Sequence, residues 1–356
     1  MSDSGVGFGG FLLGVGGGYY LFRYVNFNVD IISYLLILMG VGIILGSTLF
    51  KGRKNPVQDV FGGFIGGLIL AAFLTQGFGI VYDFTNNWDD FTDMTYRATE
   101  DITLNSPIEA GTVNLSIDSV NGAVEVSPWA GDTVKIDLEV KAKGSSTADA
   151  EDNLEEFVYD MSSDVSGGEQ DIELTFPMPS MSLWNTYSVF IQVYVPEGEM
   201  DMILVDLTNG AITINDLEIS ALDLDTTNGA IRLSNIETSS ISAHTTNGGI
   251  FGTLSSTGGT FSTTNGAIDI DLEAQSGAYN FDTTNGSIDI NLPSGSDIGY
   301  NINLDTSIGS IDVNLSNMDY TVNRSREKVG ETVGYDSKTV QIEIDADTTI
   351  GGIELN

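Results

Sequence analysis

From Ala211 to Gly229 the apolar residues fall in pairs two apart: Ile212 and Ile214, Leu217 and Ile219, Leu222 and Leu224. Spacing of two is the signature of a strand with one buried face. Between pairs the parity breaks, at Asn215-Asp216, at Ser220-Ala221 and at Asn228-Gly229. Three breaks in one unit predict three short strands joined by three corners, hence a coil of roughly triangular section. A flatter two-faced solenoid is the other arrangement that fits.

The unit repeats. Asp-Leu-Thr-Asn-Gly-Ala-Ile at 206–212 is followed by close copies at 225–231, 244–250, 262–268 and 282–288. Degenerate copies stand at 305–311 and 347–353, with an early outlier at 118–124. The asparagines 209, 228, 247, 265 and 285 are 19, 19, 18 and 20 residues apart. A fixed period of this size means stacked repeats. Two places after each glycine comes Ile212, Ile231, Ile250, Ile268, Ile288, Ile311 or Ile353, an inward column. Four places after come Ile214, Leu233, Gly252, Ile270, Ile290, Val313 and Leu355, and only Gly252 departs, in the rung one residue short. The corners are assigned to Asn209-Gly210, Asn228-Gly229, Asn247-Gly248, Asn265-Gly266 and Asn285-Gly286, because Asn and Gly tolerate positive φ at little steric cost. Stacked Thr and Asn side chains can bond along such a column. A lone rung cannot offset its own ordering entropy, so several rungs and two caps are required.

The first 86 residues form a different material. Apolar runs at 29–50 and 57–82 are each long enough to span a bilayer, which takes ~20 residues. A glycine-rich run at 5–23 is read as a third span, with a re-entrant or interfacial segment as the alternative. Its polar start lacks the basic region of a signal peptide. Gly10/Gly14/Gly18, Gly42/Gly46 and Gly62/Gly66 have the four-residue spacing that lets helices pack closely, although glycine is common in spanning helices anyway. Lys51, Arg53 and Lys54 lie in the short loop between the strong spans, which the positive-inside rule places in the cytoplasm. The expected localisation is therefore the cell membrane, with the C-terminal domain extracellular.

Organisation follows: a transmembrane region at 1–86, a linker at 87–99, a strand-rich part at 100–204, and repeats at 205–356 interrupted at 316–338. Within 100–204, Val113–Ile117, Val134–Val140, Ile172–Phe176 and Val189–Val195 alternate as strands, and Thr147–Val158 opens like a helix. The fold class is mainly β, a right-handed parallel β-helix or solenoid with an N-terminal strand-rich cap, preceded by an α-helical transmembrane region. Phe190-Ile-Gln-Val-Tyr-Val-Pro196 leading into the Thr-Asn-Gly-Ala-Ile copies resembles the adhesin-like family of β-strand-repeat proteins. That group, of unknown function, occurs in bacteria and archaea. The resemblance covers about 100–356, leaves the spans outside, and implies a cell-surface β-solenoid.

Charge narrows the function. The net charge is −37, while acids and bases cancel within 1–86, so the excess belongs to the outer part. Such a surface excludes nucleic acid, whose phosphates need Lys and Arg. Zero cysteines means no disulfides, which a large solenoid core does not need. Asp206, Asp225, Asp282, Asp305 and Asp347 share one column, three places before the corner Asn, or the residue in its place. They are candidate Ca²⁺ ligands on the sharp reading and a solvated face on the bland one; His244 and Ser262 interrupt them. No other cofactor is expected. His244 is the chain's one histidine, and no Ser-His-Asp, metal-ligand or phosphate-loop constellation accompanies it. The chain is therefore read as no enzyme. N-x-Ser sequons stand at Asn114, Asn285, Asn314 and Asn323, all outside in this topology. Arg324, Arg326, Lys328 and Lys338 make 316–338 basic, either as an irregular loop or hairpin or as a contact to the acidic face of a neighbouring copy. The expected role is adhesion or envelope structure, with the lipid bilayer, surface glycans, envelope proteins or copies of itself as partners. The alternatives are an envelope-stress or signalling component with a membrane partner, and a carbohydrate-binding or carbohydrate-cleaving β-helix.

Overall fold

Alternating sequence becomes alternating burial. Strands β1 (Tyr96–Pro107), β2 (Thr112–Trp129) and β3 (Thr133–Gly144) lead to helix α1 (Thr147–Glu155), then to β4 (Asp160–Ser166), β5 (Glu169–Thr175) and β6 (Tyr187–Pro196). In β3 each of Val134, Ile136, Leu138, Val140 and Ala142 is buried, as alternation requires. The computed structural model describes residues 96–177 and 186–356. The spans expected at 5–23, 29–50 and 57–82, and the basic loop between the last two, lie outside the described residues. Among the described residues no helix is long and apolar enough to cross a membrane. The linker expected at 87–99 gives way to β1 from Tyr96 onward.

Helix α1 begins one residue later than its cap. Ser146, not Thr147, is the N-cap, its hydroxyl accepting from the Asp149 N–H at 3.1 Å. Asn153 then donates to the Lys143 carbonyl and Tyr187 donates to the Asn153 carbonyl, which ties the helix to β3 and β6. Gln170 is fully buried and ties the cap together. Its amide donates to the Pro107 carbonyl and to Ser163, while its Oε1 accepts from the Glu109 N–H.

The cap is antiparallel: β1 pairs β3, β3 pairs β6, and β4 pairs β5. The solenoid is parallel. Strand β2 lies parallel to β5 and β6 on one side, and on the other to β7 (Met202–Asn209) and β8 (Ile212–Asn215). The outlying copy at 118–124 is thus a true rung, with Asn121 opposite Asn209 and Val124 opposite Ile212. Next come β9 (Glu218–Asn228), β10 (Ile231–Asn247), β11 (Ile250–Ser256), β12 (Gly258–Asn265), β13 (Ile268–Leu272), β14 (Gly277–Asn285) and β15 (Ile288–Asn291). Each lies parallel to its counterpart one period away. The unit Thr95–Asn356 is a β-solenoid.

The inward columns form the core. Ile212, Ile231, Ile250, Ile268 and Ile288 are completely buried, with Ile311 and Ile353 nearly so. Phe261 and Phe281 stack in neighbouring rungs at 5.0 Å between centroids, a stacked pair inside the coil. The hydroxyl of Tyr279 donates to the Ser256 carbonyl.

The last rungs stack in the reverse of their chain order. After β15 come β16 (Ile298–Ile308) and β17 (Ile311–Val313), then the hairpin β18 (Met318–Asn323) and β19 (Glu327–Thr332). A 3-10 turn (Tyr335–Ser337) leads to β20 (Val340–Ile350) and β21 (Ile353–Leu355). Strand β20 lies parallel between β14 and β16, and β21 between β15 and β17. Of the two forms expected for the insertion at 316–338, loop or hairpin, the structure has the β18–β19 hairpin, followed by the 3-10 turn. Strand β19 runs antiparallel to β16, so the hairpin covers the edge that β16 would otherwise expose.

Candidate functional site

The Thr-Asn-Gly phrase builds three columns at one corner. The asparagines form a ladder along the outside. Asn209 donates to Asn121, Asn228 to Asn209, Asn247 to Asn228, Asn265 to Asn247 and Asn285 to Asn265, at 2.8–3.0 Å. One register inward, buried threonines donate to the glycine carbonyl of the adjacent rung. Thr226 reaches Gly210, Thr245 Gly229, Thr263 Gly248, Thr283 Gly266, Thr348 Gly286 and Thr306 Gly351.

At Gly229, Gly248, Gly266 and Gly286 the glycine is required for space rather than for positive φ, which corrects the expected corner geometry there, while Gly210 in the same column does have φ 153°. The corner asparagines are absent from the positive-φ residues, and so is Gly229. A Cβ on Gly229 would stand 1.8 Å from the Gly210 carbonyl oxygen, and Gly248, Gly266 and Gly286 meet the same oxygen of their own neighbours. Two non-glycine left-handed residues lie at a different corner of the rungs: Asp216 at φ 51° and Asn235 at φ 53°, with Asn235 donating to Asp216 at 2.8 Å. This explains the short step in the period. The rung of β11 has no counterpart of Asn235, since Leu233 pairs Gly252 and Ile236 pairs Leu254. It is one residue shorter for that reason.

The acidic column is real and one member longer than the sequence suggested. In register order it runs Asp118, Asp206, Asp225, His244, Ser262, Asp282, Asp347, Asp305. Asp118 belongs to the early copy, and only the stacking of β2 on β7 shows its place. Partial burial, then repulsion from Asp206 and Glu173, pushes the Asp118 carboxyl up. Asp225 is raised by partial burial against the opposing pull of His244, with Asp206 and Asp223 adding repulsion. Asp347 is raised by partial burial and then by Asp282, Asp305 and Asp345. Asp269, on another face, is raised by partial burial, Asp289 and Asp271. Among the described residues no group of three or more His, Cys, Asp or Glu side chains is arranged to hold a metal ion.

These shifts set the pH dependence. A carboxylate whose folded pKa exceeds its unfolded one binds its proton more tightly when folded, so stability rises as pH falls through the folded value. Asp137 and Asp149 act oppositely. Asp137, despite some desolvation, is lowered by hydrogen bonds from Lys135 and Thr103, and Asp149 by the backbone and side chain of Ser145. The thermal midpoint should therefore climb as pH falls from 7 toward the ordinary Asp range, roughly pH 4, and fall below it as Asp137 and Asp149 take up protons. Added salt at pH 7 should raise it too, by screening the column. Calorimetry that shows a midpoint flat or falling from pH 7 to about pH 4 would sink the raised carboxyls.

A groove of about 510 Å³ lies on the outer surface of the same strands. Gly258 and Ala278 form its low floor, in the row where the next rungs carry Glu343 and Asn301. Asn280, Asn301, Asn303, Glu343 and Asp345 supply amides and carboxylates. Register places Asn280, Asp345 and Asn303 side by side, and Asn303 donates to Asp345 at 3.1 Å. Chain periodicity does not show this groove, because β20 brings Glu343 and Asp345 between β14 and β16 out of chain order.

The sequons differ in their surroundings. Asn114 donates to Glu169 and Asp171, Asn285 to Asn265, and Asn314 to Asn356. Asn323 is exposed at the hairpin turn and accepts from Lys328. The basic hairpin residues bond within their own chain: Arg324 pairs Glu327, Arg326 donates to the Ser307 carbonyl, and Lys338 donates to the Ser296 carbonyl.

A parallel-stacked β-solenoid with an Asn-Gly corner and an acidic outer face defines the class. The chain belongs to the Toastrack family, DUF4097, whose profile matches residues 112–256 and 199–350. It is similar to a solved structure from Clostridium sporogenes described as a candidate cell adhesion protein. That match has 13% identity, covers 72% of this chain and 99% of the other, and has a TM-score of 0.33. A candidate adhesin from Bacteroides fragilis matches at 9% identity over 72% and 97% of the two chains, with a TM-score of 0.34. A candidate lipid-binding protein from Parabacteroides distasonis matches at 10% identity over 73% and 97%, with a TM-score of 0.30. No curated protein matches the chain.

Proposed function

We propose that this protein is a membrane-anchored, adhesin-like β-solenoid that works outside the cell without catalysis. In this reading residues 1–86 cross the bilayer through the runs at 5–23, 29–50 and 57–82, and Thr95–Asn356 is displayed as a right-handed parallel β-helix. The basic loop of Lys51, Arg53 and Lys54 supports that orientation. The observation that carries the binding role is the groove. Its floor is open where Gly258 lacks a side chain, and its walls are hydroxyls, amides and two carboxylates. Amides both donate and accept, and carboxylates accept from paired hydroxyls, so the groove suits neutral, hydroxyl-rich ligands such as surface glycans. The acidic surroundings repel anionic ones. Envelope proteins and copies of the chain itself are the other partners this surface would meet.

Two measurements test the reading. Protease added to intact cells should remove the outer unit and leave the spans; protection until the membrane is permeabilised would reverse the orientation. Neutral polysaccharide matrices should retain the full chain, and Asn280→Ala with Asp345→Ala should lose at least about tenfold in affinity, the loss of one or two polar contacts. Retention unchanged by these substitutions would remove the groove from the proposal.

A further inference from the structure

The out-of-order rung suggests a way for copies of this chain to join. Strand β20 and β21 fill a slot whose two walls, β14–β15 and β16–β17, both come earlier in the chain. The slot is edged on both sides by backbone groups that this segment alone satisfies. Gly286 N–H donates to the Ile350 carbonyl, Gly351 N–H to Ile308, Leu292 N–H to Asn356, and Asn314 N–H to Leu355. Fit inside the coil is specific. Ala346, small and buried, lies in register between Phe281 and Leu304, and Thr348 donates to the Gly286 carbonyl.

The segment's covalent tie to the rest is short and has a visible hinge. Gly334 is left-handed at φ 74°, and beside it Val333 is 64% exposed, the most exposed of the large hydrophobics among the described residues. Beyond the hinge, Tyr335 and Gln341 bond within the segment, through the Tyr335 carbonyl to Gln341 and the Tyr335 hydroxyl to Glu343. The segment can therefore move as a unit. Two further exposed apolar side chains, Ile308 and Ile350, stand opposite each other on the slot rungs, where the preceding rungs carry the asparagine ladder. Val333 stands at the start of these strands and Ile308 and Ile350 at their far end, so exposed apolar side chains mark both ends of the rung that the segment completes.

We propose that residues 335–356 are an exchangeable rung: with Gly334 extended, the segment of one copy fills the slot of a second copy, and reciprocally. Every hydrogen bond and buried contact of the slot is then re-formed with the same partners. The cost is confined to the hinge and to bringing two copies together, as for strand exchange generally. The tie limits the partner to a copy docked beside the hinge, which would cover Val333.

The cysteine-free chain makes this directly testable. Asn303 and Asp345 face outward in register on adjacent strands, within reach of a disulfide. In the full chain, Asn303→Cys with Asp345→Cys together should close a bond within a monomer. The same two substitutions on separate, co-expressed copies can bond only if the segment of one lies in the slot of the other. A non-reducing gel should show product at twice the monomer mass that needs both variants. The Asn280→Cys and Asp345→Cys pair, on the other wall, should repeat it. Gly334→Val disfavours the left-handed hinge and meets only the Ser337 hydroxyl, so it should raise the interchain fraction about tenfold. If the in-chain pairs close but co-expressed copies give no interchain bond, even with Gly334→Val, exchange does not occur. If neither in-chain pair closes, β20 does not occupy the slot and the proposal falls with it.

Discussion

Ile231→Asp should unfold the solenoid or split its unfolding into two steps. Ile231 is fully buried, in register with Ile212 on one side and Ile250 on the other. The substitution removes an aliphatic side chain that both neighbouring rungs pack against. It also leaves a carboxylate with no partner in an apolar column. Burial without compensation costs about 5 kcal/mol, a large part of a domain's stability. Because each rung contacts only its neighbours, the loss weakens the stack locally, and the rungs on either side can come apart separately. Asp223→Asn is the matched control: it faces outward between buried Leu222 and Leu224, and neutralising it relieves repulsion on Asp225. Denaturant titration of the full chain should place the Asp223 variant at or slightly above the parent midpoint. An Ile231→Asp midpoint as high as that of Asp223→Asn would mean the inward column is not there.

Gly229→Val should be nearly as damaging, through backbone contact rather than charge. Any Cβ at Gly229 would lie 1.8 Å from the Gly210 oxygen, the same oxygen that accepts the Thr226 hydroxyl. The rungs must separate at that corner, which breaks the threonine bond and stretches the Asn228–Asn209 rung of the ladder. Overpacking of this kind costs about 3 kcal/mol, with about 1 more for the lost hydrogen bond. Gly229→Ala should already show most of the effect, since the methyl alone makes the clash. By contrast, a Cβ at Gly111 meets nothing within 4 Å, and Gly111→Ala should change the midpoint by less than about 1 kcal/mol. Equal midpoints for Gly229→Ala and Gly111→Ala would contradict the close approach of the rungs.

Local periodicity carried much of this fold. Spacing of two within pairs, the Asn-Gly phrase and the column of isoleucines are properties of consecutive residues. A repeated phrase can pack only against its own copies, so the asparagine ladder and the aspartate column were legible before any coordinates. What escaped the sequence depends on which segments become neighbours. The corner glycine is a local choice made for a distant reason, the carbonyl one rung away, and a φ argument at Gly229 therefore assigned it the wrong cause. The left-handed corner fell to Asp216 and Asn235 because the strand parity changes there. Asp118 joins the acidic column because β2 stacks on β7 across nearly ninety intervening residues. The groove, its Glu343 and Asp345, and the exchangeable rung arise from β20 entering between two earlier strands. All rungs share one inward pattern, so pattern alone does not order them. Tertiary contacts decide that order: the β18–β19 hairpin covers the outer edge of β16, which leaves the slot against β14 for the last strand.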